Sequence, residues 1–101
     1  MSTTRSHKLE RDLQREVIDW CKESGLYYIN IHGGGFTGRG TPDIIICLDG
    51  RFVAVELKVG KNKLEPAQVI RRNQILQSNG VHIAPRSFSE FLEEIKNIWS
   101  K

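Results

Sequence analysis

The dipeptide Asp49-Gly50, set between two short apolar runs, constrains this chain more than any other feature, because it fixes both a hairpin and which residues face each other across it. The runs are Ile44 to Cys47 and Phe52 to Lys58. A symmetric turn at Asp49-Gly50 pairs Leu48 with Arg51 and, followed back along both strands, sets Asp43 opposite Glu56. Opposed side chains in an antiparallel pair have Cβ atoms roughly 4.5–5.5 Å apart, and like charges at that distance repel. Strand side chains alternate, so Lys58 shares a face with Glu56 while Leu57 points into the apolar side. Asp43, Glu56 and Lys58 are therefore expected to converge on one patch. Two carboxylates with room for water suit a hard divalent cation such as magnesium, which takes oxygen ligands and seldom more than two protein carboxylates. The plainer alternative is an Asp entering a turn after Pro42 and a surface Glu56–Lys58 ion pair, worth only about 0–1 kcal/mol.

The flanking sequence supplies the other elements. Leu9, Leu13, Val17 and Trp20 recur at helical spacing and Gly25 ends the run, which predicts a helix over Leu9 to Ser24. Tyr27 to His32 is rich in β-formers and reads as a strand; Gly33 to Gly40 reads as a loop. Lys61 to Lys63 is a basic loop, Pro66 opens a helix running to Asn79, and Val81 to Ala84 is a short strand. Ser87-Phe88-Ser89-Glu90 has the form of a capping box ahead of an amphipathic helix carrying Phe91, Leu92, Ile95, Ile98 and Trp99. The order α-β-β-β-α-β-α is that of an α/β fold. With 101 residues, one domain over 1–101 is expected.

On the first helix, with Leu9 as zero and about 100° per residue, the apolar positions Leu9, Trp20, Leu13, Val17 and Cys21 span roughly 0–120°. Glu10 falls inside that arc and Glu16 outside it. An acid facing the core is costly unless paired or near a cation, so Glu10 is preferred to Glu16 as a third acidic group.

The net charge of +3 says little by itself, but Lys58, Lys61, Lys63, Arg71 and Arg72 share one short window with a single acid, Glu65. Beside the acidic patch, Lys61, Lys63, Arg71 and Arg72, with Arg39, are candidates for nucleic-acid backbone contacts, glycines allowing close approach of the loop to a phosphodiester. Hydrophobic residues at 39% and charged residues at 27% belong to a globular chain rather than a disordered one. No apolar run approaches membrane-spanning length and the N-terminus lacks a secretory pattern, so an intracellular, cytoplasmic protein with no membrane partner is expected. Cys21 and Cys47 are isolated and read as two buried thiols; His7, His32 and His82 are scattered, which sets zinc aside.

Taken together, Gly38-Arg39-Gly40-Thr41-Pro42-Asp43, Val55-Glu56-Leu57-Lys58 and Leu64-Glu65-Pro66-Ala67-Gln68, with Gly80 before a strand, resemble the PD-(D/E)xK nucleases, and among them the VRR-NUC domain family. The likeness runs from about Glu10 to Arg86. It implies a restriction-endonuclease-like core with a mixed central sheet. It further implies that Asp43, Glu56 and the backbone carbonyl of Leu57 bind Mg2+ or Mn2+, that Lys58 positions the attacking water, and that Glu10 and Gln68 support the site. Stand-alone members of that branch act as homodimers on branched DNA such as four-way (Holliday) junctions, so the resemblance implies a metal-dependent DNA endonuclease without a small-molecule cofactor. The rival expectations are a non-catalytic DNA-binding module of the same fold and a restriction-type endonuclease acting on duplex DNA.

Overall fold

The computed structural model describes residues 4–31, 38–60 and 63–99. Its elements are α1 (Thr4–Glu23), β1 (Tyr28–Asn30), β2 (Ile44–Leu48), β3 (Arg51–Val55), α2 (Pro66–Gln77), β4 (Val81–Ile83) and α3 (Phe88–Trp99). The order is the one expected from the sequence. The sheet runs β1-β2-β3-β4. Its first two pairings are antiparallel and β3–β4 is parallel, so the sheet is mixed.

The hairpin has the anticipated register, with Leu48 opposite Arg51 and Ile44 opposite Val55. Asp49 and Gly50 both take positive φ, 53° and 81°. That is the conformation of a two-residue turn whose twist matches its strands. Beyond the last ladder pair the regular pattern gives way. The Asp43 N–H donates to the Val55 carbonyl at 3.0 Å, so Asp43 and Ile44 both face Val55, as in a β-bulge. The strict Asp43–Glu56 opposition expected from the turn is thereby offset.

Strand β3 was expected to continue to Lys58 but its ladder with β2 ends at Val55. Pro42 has no N–H to extend that ladder. The next residues follow the other neighbour instead: Glu56 N–H donates to the Ile83 carbonyl and Lys58 N–H to the Pro85 carbonyl, at 2.9 and 3.1 Å. Glu56 to Lys58 are thus held extended along the parallel side.

The core lies on one face of the sheet. Ile44, Ile46, Val53, Val55 and Leu57 pack with Leu13, Val17 and Cys21 of α1 and with Phe91, Ile95 and Ile98 of α3. Trp20 meets Phe91 edge-to-face at 5.3 Å, a favoured geometry for aromatic pairs. The opposite face carries Ile45, Cys47, Phe52 and Ala54, and its cover is α2, no residue of which is fully buried. Ile75 of α2 lies close to Gly80 and Phe52 marks the edge of this cover, half of its surface remaining exposed (50%). This one-sided cover corrects the expectation of two buried thiols: Cys21 is buried, its thiol pushed up to about 11 by desolvation, whereas Cys47 is exposed on the open face. Among the described residues no helix is long and apolar enough to cross a membrane.

Candidate active site

The acidic patch forms where the N-terminal end of β2, the extended continuation of β3 and the first turn of α2 meet. Glu56 is its centre. It is the one charged residue among the described residues that is buried, at 3% exposure. Its Oε2 accepts a hydrogen bond from Gln68 Nε2 at 2.8 Å, while Oε1 is buried with no hydrogen-bond partner among the described residues. Burial, and next the negative charge of Asp43, push the Glu56 carboxyl up to about 8; Glu10 adds to the rise, and Lys58 and the Gln68 bond oppose it. Asp43, Lys58 and Glu10 are thus all near enough to act on Glu56 through space.

Asp43 is half-buried, and its Oδ2 accepts the Leu57 N–H at 2.9 Å. One carboxylate is in this way tied to the backbone of the segment carrying the other. Gln68 has both ends engaged, since its Oε1 accepts the Glu65 N–H at 2.8 Å. That bond belongs to the capping box opening α2. It leaves the Gln68 amide nitrogen aimed at Glu56. The Glu65-x-x-Gln68 spacing carried this signal in the sequence, but a role toward Glu56 needed the packing of α2 on the sheet.

The loop before Asp43 is held by α2 as well. Gly40 has φ +79°, and a Cβ there would lie 2.3 Å from the Ala67 carbonyl oxygen, so no side chain fits. Arg71 donates from Nε to the Arg39 carbonyl at 3.1 Å and from a terminal nitrogen toward Gln74 at 3.4 Å. On the other side of the site, Arg86 donates to the carbonyls of Gly60 and Lys58, at 2.5 and 3.4 Å, bracing the Lys58 segment. Sequence alone gives Arg86 no site role, because only the tertiary fold brings it beside Lys58.

The residues expected at a nucleic-acid interface are dispersed. Arg39 and Lys63 are exposed, Lys61 lies outside the described residues, and His32 with most of the Gly33 to Gly40 loop does too. Arg71 faces the loop before Asp43. Arg72 faces β4, where burial of the His82 ring, and next the Arg72 charge, lower the proton affinity of His82.

Among the described residues no three His, Cys, Asp or Glu side chains stand close enough to hold a metal between them. Glu10 is near enough to act on Glu56 through space without forming such a group of three with Asp43 and Glu56. The side-chain donors available to a cation are the two carboxylates, a set suited to magnesium and unsuited to zinc. A buried carboxylate oxygen without a partner beside a second carboxylate fits such an ion, since an uncompensated buried acid is otherwise costly.

No protein-family model matches the sequence, and no curated protein matches it. A solved structure described as a VRR_NUC domain has the same fold. The two superpose with a TM-score of 0.68 over 90% of this chain and 94% of that one, at 18% sequence identity. At that identity the likeness carries the fold: a small mixed-sheet α/β domain of the restriction-endonuclease-like type.

Proposed function

We propose that this protein is a VRR-NUC-type nuclease that hydrolyses DNA phosphodiester bonds with the help of Mg2+, Mn2+ substituting for it. The observation that carries the reading is the buried Glu56, with one unpartnered oxygen, facing Asp43 and Lys58. Asp43, Glu56 and the Leu57 carbonyl would hold the ion. When bound, such an ion polarises the phosphoryl group and lowers the pKa of water, the two aids this reaction needs.

The rest falls to side chains and backbone. Gln68 holds one oxygen of Glu56, and the other, buried without a hydrogen-bond partner among the described residues, would be left to meet the ion. Asp43 is fixed by its bond to Leu57 N–H, so the two carboxylates keep their spacing when substrate enters. The Lys58 ammonium orients the attacking water and offsets the charge that grows on the phosphoryl oxygens. Arg39, Lys63 and their basic neighbours meet the phosphate backbone, which makes binding strongly salt-dependent. Branched DNA as substrate and a homodimer as the working form follow from the resemblance in the Gly38 to Asp43 and Val55 to Lys58 motifs.

The test is a panel of four-way, flap, single-stranded and linear duplex DNAs incubated with the protein and Mg2+, beside Asp43→Ala and Lys58→Ala. Cleavage of the branched substrates by the unaltered protein alone supports the reading. Equal nicking by all three proteins refutes it.

A further inference from the structure

The surface of α1 is unevenly charged. At about 100° per residue, Arg11, Arg15 and Lys22 fall within roughly 200–240° of Leu9, and Asp12, Glu16, Asp19 and Glu23 within roughly 280–340°. From Arg11 to Glu23, bases and acids thus form two adjacent stripes. Arg11–Arg15, Asp12–Glu16 and Asp19–Glu23 are like-charge pairs at i,i+4, each mildly destabilising to a helix, while Arg15–Asp19 is an attractive one. The basic stripe is the one turned toward β1. There Arg11, Arg15 and Lys22 border an open cavity of about 430 Å³ between α1 and β1. Asp19 is the single acid on its lining, and Gln14 crosses to β1 by donating to Asn30 Oδ1 at 2.9 Å.

Chain neighbours of two groove residues reach the acidic patch, although no residue of the patch lines the groove itself. Asn30 precedes Ile31, whose N–H bonds to the Asp43 carbonyl at 2.8 Å. Glu10, next to Arg11, is close enough to Glu56 to be felt by it. From Arg11 to Lys22 the helix advances about 16 Å, the axial length of roughly five base steps of B-DNA. An open groove bordered by three cations and a single acid, one end of which adjoins Glu10 in the chain, suits an extended polyanion.

We propose that the groove between α1 and β1 is a DNA track in which Arg11, Arg15 and Lys22 hold the phosphate backbone of the strand leaving the active site. Gln14 and Asn30 line its floor as neutral hydrogen-bonding groups, competent toward sugar and phosphate oxygens. The inference rests on the nuclease reading for the identity of the polyanion, but its geometry does not depend on cleavage.

The experiment measures binding of fluorescent DNA in chelator, so that no hydrolysis occurs, across a range of salt concentrations. The proteins are the unaltered chain, Arg11→Gln, Arg15→Gln and Lys22→Gln singly and together, and Lys96→Gln on α3 as a cation outside the groove. The triple variant is expected to lower the slope of log affinity against log salt by about 2–3, roughly 0.9 for each phosphate that is no longer neutralised. The side-chain amide resonances of Gln14 and Asn30 are expected to shift as DNA is added. A slope altered no more by each groove variant than by Lys96→Gln overturns the track, as do unmoved Gln14 and Asn30 resonances or equal affinity for polyglutamate. DNA binding along the groove without cleavage in Mg2+ refutes the nuclease reading and leaves the track standing.

Discussion

Glu56→Gln isolates the electrostatic tension at the centre of the site. Burial and Asp43 raise the Glu56 carboxyl from its ordinary 4.5 to about 8. Below 4.5 the acid is protonated both folded and unfolded, and it imposes no penalty. As pH rises the unfolded chain ionises first, so the native state binds the extra proton and stability falls until Glu56 itself ionises near 8. Each tenfold change in proton affinity is worth about 1.4 kcal/mol, so the loss reaches roughly 3 kcal/mol at pH 7 and roughly 5 above pH 8, ceilings that water near the cleft lowers. Gln replaces the acid with a neutral group of the same shape and abolishes this loss. Urea denaturation of both metal-free proteins between pH 4 and 9 is expected to give stabilities that diverge as pH rises, the variant being the more stable. Mn2+ at pH 8 is expected to raise the stability of the unaltered protein and leave Glu56→Gln little changed. Parallel pH curves, or equal stabilisation of both by Mn2+, would refute the account of a buried acid waiting for a cation.

Gln68→Leu leaves Glu56 Oε2 and the Glu65 N–H without partners, which is expected to cost about 1–3 kcal/mol for each group. Because the lost bond favours ionised Glu56, the pH midpoint of Mn2+ binding moves upward; an unmoved midpoint in calorimetry contradicts this. Gly40→Ala forces a methyl into the first turn of α2 at a positive φ, and thermal denaturation is expected to register a loss of about 1–3 kcal/mol. An unchanged melting temperature would mean the loop does not rest on α2 in solution. Arg71→Ala removes an internal bond to Arg39, so it is expected to reduce kcat while altering the salt slope of DNA binding less than Lys63→Ala does; the reverse order assigns Arg71 to the phosphate backbone. Asp43→Ala and Lys58→Ala are expected to reduce cleavage at least about a hundredfold, as loss of a group acting in the transition state does, with circular dichroism unchanged.

Local chemistry makes much of this protein legible in its sequence. Asp49-Gly50 dictates a turn with two positive φ angles, and a fixed turn sets the register of both strands. Alternation then put Glu56 and Lys58 on one face and Leu57 in the core. The amphipathic periods of α1 and α3 named their buried residues well, Leu13, Val17, Phe91 and Ile95 among them, although Leu9 and Trp99 remain half exposed. What periodicity could not supply is whatever depends on residues distant in the chain. The bulge at Asp43 arises where Pro42 ends one ladder, while Ile83 and Pro85 carry the other onward to Lys58. Gln68 reaches Glu56, and Arg71 and Arg86 brace the two flanks, only because α2 and the end of β4 pack where they do. The thiols divide for the same reason, since α2 covers one half of a sheet face and leaves Cys47 in water. A sequence determines which groups a strand or helix presents on each side, because those periods are properties of the backbone. Which of those groups lose their water is decided by what another element lays over them, and at Glu56 that loss of water raises the proton affinity on which the proposed chemistry depends.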